Sequence, residues 1–356
     1  MNYCIYLKDT EPTLSFSSAE HIFPAGLGGI QKLPAEFVSY DCNNNIFSDM
    51  ERDFMRHSLL ALPRQFYGPG KRGKLNVRYA TKSQIGLINY EDEDELDEVY
   101  LGYIKLGQPF LIRQLRINTN GDLIMCTGAQ FNNIDQLTEN FNHNLRSFQG
   151  IYTMHTDSRI ASNEFIIGIE DDEPRWHICL SNEQLIPQIK NLITNILNRG
   201  GVLATNSEHK SAQVQSEQSL RFSDTDLRVC AKMAFNFLAF VKGREFVLDK
   251  QFDHIREWMI NGGENRFATL TGKQSFKGKY PFTYLPELAH IIMINQDHNH
   301  LTAIMSFYGG HFETVIKLSN QFNGVFGMDG FICDWKNRSE LRFMELVSKA
   351  NESLNT

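Results

Sequence analysis

An extended run from Ser15 to Phe23 carries Glu20 and His21 side by side near its end and is stopped by Pro24. Ala25-Gly26-Leu27-Gly28-Gly29 then turns the chain, and from Asn43 to His57 the residues Ile46, Phe47, Met50 and Phe54 recur at the spacing of one helical face. The segment reads as strand, turn, helix, with an acid-imidazole pair before the turn and Cys42-Asn43-Asn44-Asn45 where the helix opens. Neighbouring side chains on extended backbone point to opposite sides, so Glu20 and His21 serve different tasks. An imidazole titrates near neutrality and can take a proton from water. A carboxylate and an amide carbonyl are hard oxygen donors suited to Mg²⁺ or Mn²⁺. Activated water and a Lewis acid are what phosphodiester hydrolysis requires.

With 356 residues the chain exceeds the usual single-domain range, and 42% hydrophobic with 22% charged residues is an ordinary globular composition. No apolar run approaches the roughly 18 residues of a membrane span, and the opening MNYCIYLKDTEPT does not read as a secretion signal. Cytoplasmic residence, with no membrane partner, is the expectation. Six scattered cysteines without a C-x-x-C pair read as reduced, mostly buried thiols. The net charge of -7 conceals segregation: Glu91 to Glu98 is almost wholly acidic, whereas Arg64, Lys71, Arg72 and Lys74 form a basic cluster upstream.

Along the chain, residues 2–7 predict a short strand, and 61–98 read as a loop-rich connector. From Val99, YLGYIKL, PFLIRQLRI and DLIMC are β-like, with Asn118 to Asp122 as a hairpin turn between the last two. Helices are predicted at 132–146 and 182–198, the second closing at Gly200-Gly201. Residues 205–219 are polar and read as a linker. Ser223 caps a long helix through Val241, a second runs from Asp249 to Asn261, and HIIMIN, HLTAIMSFY and FETVIKLS have the marks of an antiparallel meander. A last helix is predicted from Ser339 to Leu354. Asp297, His298 and His300 read as a polar hairpin tip, and His155, Asp157 and His177 as core or surface groups. No Walker loop, nucleotide fingerprint or nucleophile elbow is present.

E-H-I-x-P, x-L-G-G and C-N-N-x-x-F-S-x-x-E resemble the HNH endonucleases of the ββα-metal class, in the bacterial branch whose motif ends in C-N-N; the resemblance covers residues 1–75. It implies His21 as general base, Glu20 in a metal-ligand slot and Asn43 as the ligand on the helix. Asn44 is the alternative, since the register within the asparagine run is ambiguous. Glu51 matches the pattern too, either beside the metal or as a surface carboxylate paired with Arg52 or Arg56. The loop with Lys71, Arg72 and Lys74 resembles a basic segment that follows this motif, where cations contact phosphate. Relatives often carry two C-x-x-C zinc knuckles. Here those slots read Cys4-Ile5-Tyr6-Leu7 and Ser39-Tyr40-Asp41-Cys42. Two thiolates are too few for a four-ligand site, so structural zinc is not expected and packing around Ile5 and Leu7 replaces it.

The expected fold is α+β: an N-terminal ββα-metal unit with its basic loop (1–75), a linker with the acidic run (76–98), a middle α+β domain (99–204), a polar linker (205–219) and a C-terminal α+β domain with an antiparallel sheet (220–356) that regulates, senses or dimerises. The expected function is Mg²⁺- or Mn²⁺-dependent cleavage of DNA, with RNA as an alternative substrate. By analogy alone it fits bacterial defence against phage or mobile DNA. The rival is a non-catalytic nucleic-acid binding or assembly module that keeps the ββα shape.

Overall fold

The computed structural model describes residues 2–70, 73–76, 79–92, 95–118, 123–126, 134–170, 174–202, 213–216 and 220–354. The chain is α+β, as expected. Near the N-terminus the backbone makes isolated antiparallel bridges, Tyr3 with Thr10 and His21 with Lys32, instead of ladders. The strand predicted at residues 2–7 is a tight turn closed by Lys8 N–H on the Cys4 carbonyl at 2.9 Å, which directs Cys4 and Tyr6 inward. A π-helical stretch, Asp41–Phe47, leads into α1 (Ser48–His57), and α2 (Ala61–Tyr67) follows.

The chain then builds β1 (Gly86–Asp92), β2 (Glu95–Lys105), β3 (Gln108–Leu111), β4 (Arg113–Asn118), β5 (Leu123–Cys126), α3 (Ile134–Arg146), β6 (Thr153–Thr156), β7 (Glu164–Ile169), β8 (Trp176–Leu180), α4 (Ile186–Asn198) and β9 (Gln213–Ser216). One sheet runs β3-β2-β1-β9, the other β5-β4-β7-β8-β6. The five-stranded sheet buries Phe165, Ile167 and Ile169 against α3 and α4, while Ile166 and Cys179 face Val99, Leu101 and Ile112. The remainder is α5 (Asp224–Lys242), α6 (Arg244–Val247), α7 (Asp253–Asn261), β10 (Ala268–Thr271), β11 (His290–Asp297), β12 (His300–Phe307), β13 (Phe312–Ser319), β14 (Asp329–Asp334), β15 (Ser339–Arg342) and α8 (Phe343–Leu354). These strands form one sheet, β10-β13-β12-β11-β14-β15. It is covered on both faces: Ile292 and Ile294 lie in the core with α5, whereas Ile291 and Met293 pack with Phe343 and Leu346 of α8. Double coverage is why HIIMIN has no polar alternation.

Several expectations need correction. The acidic run is no connector, because β1 and β2 pass through it and pair antiparallel up to Asp92 and Glu95. The predicted polar linker contains β9, paired with β1, and residues 205–212 and 217–219 lie outside the described residues. Residues Ser339–Arg342 form β15, since Leu341 continues the ladder opposite Ile332, so the last helix starts later. The predicted hairpin turn at 119–122 also lies outside the described residues, but β4 and β5 pair as such a turn requires.

The largest difference concerns the domains. Residues up to Thr81 and from Leu220 onward make one compact unit, and Lys82–Ser219 make the other. The N-terminal segment has no core of its own. Ile22, Phe23, Leu27, Phe47 and Phe54 share one apolar cluster with α5 and the six-stranded sheet. Polar ties add to this: Arg256 Nε donates to Ile5 O at 2.7 Å, and the Glu340 carboxylate accepts from Ile30 N–H and Gln31 N–H at 3.0 and 2.6 Å.

Candidate active site

Glu20, His21 and Ile22 lie on one arm of a short antiparallel pair, fixed by Ile22 N–H on Gln31 O at 3.0 Å and Leu33 N–H on Glu20 O at 2.8 Å. The turn between the arms needs its glycines. Gly28 has φ 94° with a Cβ position 2.3 Å from Trp335 Cβ, and a Cβ on Gly29 would lie 1.8 Å from the Phe23 carbonyl oxygen. The Gly-Gly of the motif is therefore explained by backbone packing.

Extended backbone sends Glu20 inward, where it is 3% exposed, and leaves His21 half-buried. Glu20 meets Lys232 of α5, whose Nζ donates to Glu20 Oε1 at 2.7 Å and also to Glu51 Oε1. Lys232 is fully buried, and its Nζ lies 5.3 Å from the Phe47 ring centroid. Burial opposes the ammonium charge, but Glu20 and Glu51 outweigh it and hold the Lys232 pKa above the ordinary lysine value. Burial pushes Glu51 upward against the pull of Lys232. One turn further along α5, Asn236 Nδ2 donates to the His21 carbonyl at 2.9 Å and Tyr6 Oη donates to Asn236 Oδ1 at 2.7 Å. The other oxygen of Glu20, Oε2, is buried and has no hydrogen-bond partner among the described residues.

His21 is pushed down to about 4, first by burial and then by Lys32 across the bridge, so its ring is neutral at pH 7. Asn43 and Asn44 reach the segment that leads to Glu20: their Nδ2 groups donate to Ser18 Oγ at 2.9 and 3.3 Å. Both side-chain carbonyl oxygens are left without a hydrogen bond among the described residues. Glu51 takes the inward alternative, while Arg52 pairs with Asp49 at 2.9 Å. Lys71 and Arg72 lie outside the described residues. Lys74 is exposed, with Nζ 4.2 Å from the Tyr79 ring centroid.

The four knuckle positions also gather. Cys4 Sγ lies 3.7 Å from Cys42 Sγ, and Ser39 N–H points at Cys4 Sγ at 3.4 Å. The hydrogen bond between the two thiols lowers Cys4 to about 5 against burial, and the same bond raises Cys42. Leu7 and Ser39 stand where the other two sulfurs of the pattern belong.

Sequence reasoning missed Lys232 and Asn236. Their signal was a lysine and an amide four residues apart inside Val229 to Ala239, an otherwise apolar run. It also missed a linked series in the other unit: Lys82 Nζ to Glu170 Oε2 at 2.7 Å, Glu170 Oε1 to His177 Nε2 at 3.0 Å, and His177 Nδ1 to His155 Nε2 at 3.1 Å. His155 and His177 come from β6 and β8, and Glu170 and Lys82 from outside the strands, which spacing does not reveal. His298 sits at the β11–β12 turn with φ 54°, the polar hairpin tip that was expected.

No family model, no curated protein and no solved structure matches this chain. Among the described residues, no helix is long and apolar enough to cross a membrane, and no group of three or more His, Cys, Asp or Glu is placed to hold a metal ion. Hard oxygen donors of the kind a divalent cation takes are Glu20 Oε2, whose companion oxygen is on Lys232, and the side-chain carbonyls of Asn43 and Asn44, whose amides are on Ser18. One carboxylate with neutral oxygens suits Mg²⁺ or Mn²⁺, which keep several waters when bound.

Proposed function

We propose that this site hydrolyses phosphodiester bonds in DNA as a metal-dependent endonuclease of the HNH kind. The observation that carries the reading is a neutral, half-buried imidazole adjacent to a buried carboxylate with one unpartnered oxygen. His21 takes the proton of the attacking water, and Asn236 on its carbonyl restrains the backbone that aims the ring. Glu20 with Asn43 or Asn44 would hold Mg²⁺ or Mn²⁺, which when bound supplies positive charge for the phosphate and the departing oxygen. Lys74, with Lys71 and Arg72, contacts the phosphate backbone.

The test is plasmid nicking with Mg²⁺ by wild type and His21→Ala, with single-stranded RNA in parallel. Loss of a general base lowers the rate by about 10²–10⁴-fold. Equal cutting by both proteins, or none by either, rejects the reading, and preferential RNA digestion changes the substrate. The second reading, a nucleic-acid binding module without turnover, is favoured by the ammonium that already sits on Glu20. It predicts DNA retention in gel-shift assays that His21→Ala leaves unchanged and no cutting by wild type.

A further inference from the structure

We infer that Lys232 and Glu51 form a buried charge clamp that holds one oxygen of Glu20 so that the other is presented to a divalent cation. This inference rests on the proposed metal-dependent reading and adds a positioning residue from α5. Lys232 issues from a stretch of α5 in which Val229 to Ala239 is buried on every side, so its stem has no other course. Its Nζ takes Glu20 Oε1 at 2.7 Å and is braced by Glu51, whose side chain is 17% exposed. A carboxylate held by one oxygen cannot rotate freely, and its second oxygen keeps a fixed direction. That second oxygen is the buried Oε2 without a partner. A buried acceptor left unsatisfied costs stability, and a bound cation removes that cost.

Asn236, on the same face of α5, is itself oriented by Tyr6 and fixes the His21 carbonyl. One helix thus sets the Glu20 side chain and the His21 backbone together. The ammonium also neutralises one carboxylate, which leaves the pair of acids with one net negative charge toward a divalent ion. The opposite role, in which Lys232 excludes a cation by competing for Glu20, makes the contrary prediction for its removal.

Mn²⁺ binding to the full chain is followed by titration calorimetry and by the electron paramagnetic resonance of free Mn²⁺, for wild type, Glu20→Gln, Lys232→Met and Lys232→Met/Glu51→Gln. The double variant removes one charge of each sign and keeps the interior near neutrality if the single variant does not fold. Loss of an outer partner of a metal ligand lowers affinity by about 10–100-fold. The clamp predicts a loss of that size in either lysine variant, with far-UV circular dichroism unchanged. Affinity equal to wild type in a folded lysine variant, while Glu20→Gln abolishes binding, overturns the clamp and leaves the metal-dependent reading standing. Tighter Mn²⁺ binding overturns it in favour of competition. Absence of Mn²⁺ binding by wild type removes the reading and the clamp together.

Discussion

His290 is fully buried, its ring 4.6 Å from that of Tyr308 and 5.8 Å from that of Phe23, and Tyr308 N–H donates to its Nδ1 at 3.2 Å. Burial holds it down to about 3, against 6.5 in an unfolded chain. Below pH 6.5 the unfolded state therefore binds a proton that the folded state refuses. Stability contributed by neutral His290 is complete above that pH and is lost as the pH falls toward 3, by up to about 1.4 kcal/mol per pH unit. Urea unfolding at pH 7 and pH 5 measures this, and His290→Phe, which keeps a ring and cannot titrate, flattens the difference. An unchanged pH slope in that variant rejects the assignment. At this scale the sequence disclosed residue types but not partners. Glu20, His21 and Asn43 stood out because polar groups interrupt an apolar pattern beside a turn. Lys232 did not, because the helical period gives no face to a helix that is buried all round.

Helix α5 starts at a capping box: Ser223 Oγ accepts from Asp226 N–H, and the Asp226 carboxylate accepts from Ser223 N–H at 2.5 Å. Ser223 ahead of the apolar run made this start legible in advance, and the structure adds Asp226 as its reciprocal partner. Ser223→Ala is expected to lower stability by about 1 kcal/mol, read as a shift in the urea midpoint at constant slope; no shift rejects a structural role for the cap. Other elements were less legible. The meander was found from its strands of alternating turn signals, but β15 was taken into the last helix because four residues opposite β14 carry no period. The acidic hairpin was missed for a similar reason: charge concealed the β-branched and aromatic residues, Ile88, Tyr90, Val99 and Tyr100, that pair across β1 and β2.

At the scale of the molecule, the site is assembled from two stretches that the inserted unit Lys82–Ser219 separates in sequence. Local pattern cannot disclose this, because nothing in residues 1–75 records that Phe23 stacks on Phe331 at 6.2 Å or that Gly68 O receives the Tyr308 hydroxyl at 3.0 Å. A fragment ending at Thr81 should lack α5 and most of its core, and its amide proton spectrum should show the narrow dispersion of an unfolded chain. A well-dispersed spectrum would mean that the N-terminal segment is a domain after all.

The same discontinuity has a temporal side. Glu20 and Glu51 are synthesised well before Lys232, and at roughly 5–20 residues per second the ribosome needs on the order of ten to forty seconds to supply the lysine. During that interval the nascent chain carries the acids without their counter-ion and His21 without Asn236. The surroundings of Glu20 and His21 are therefore complete only once translation has passed through the insert.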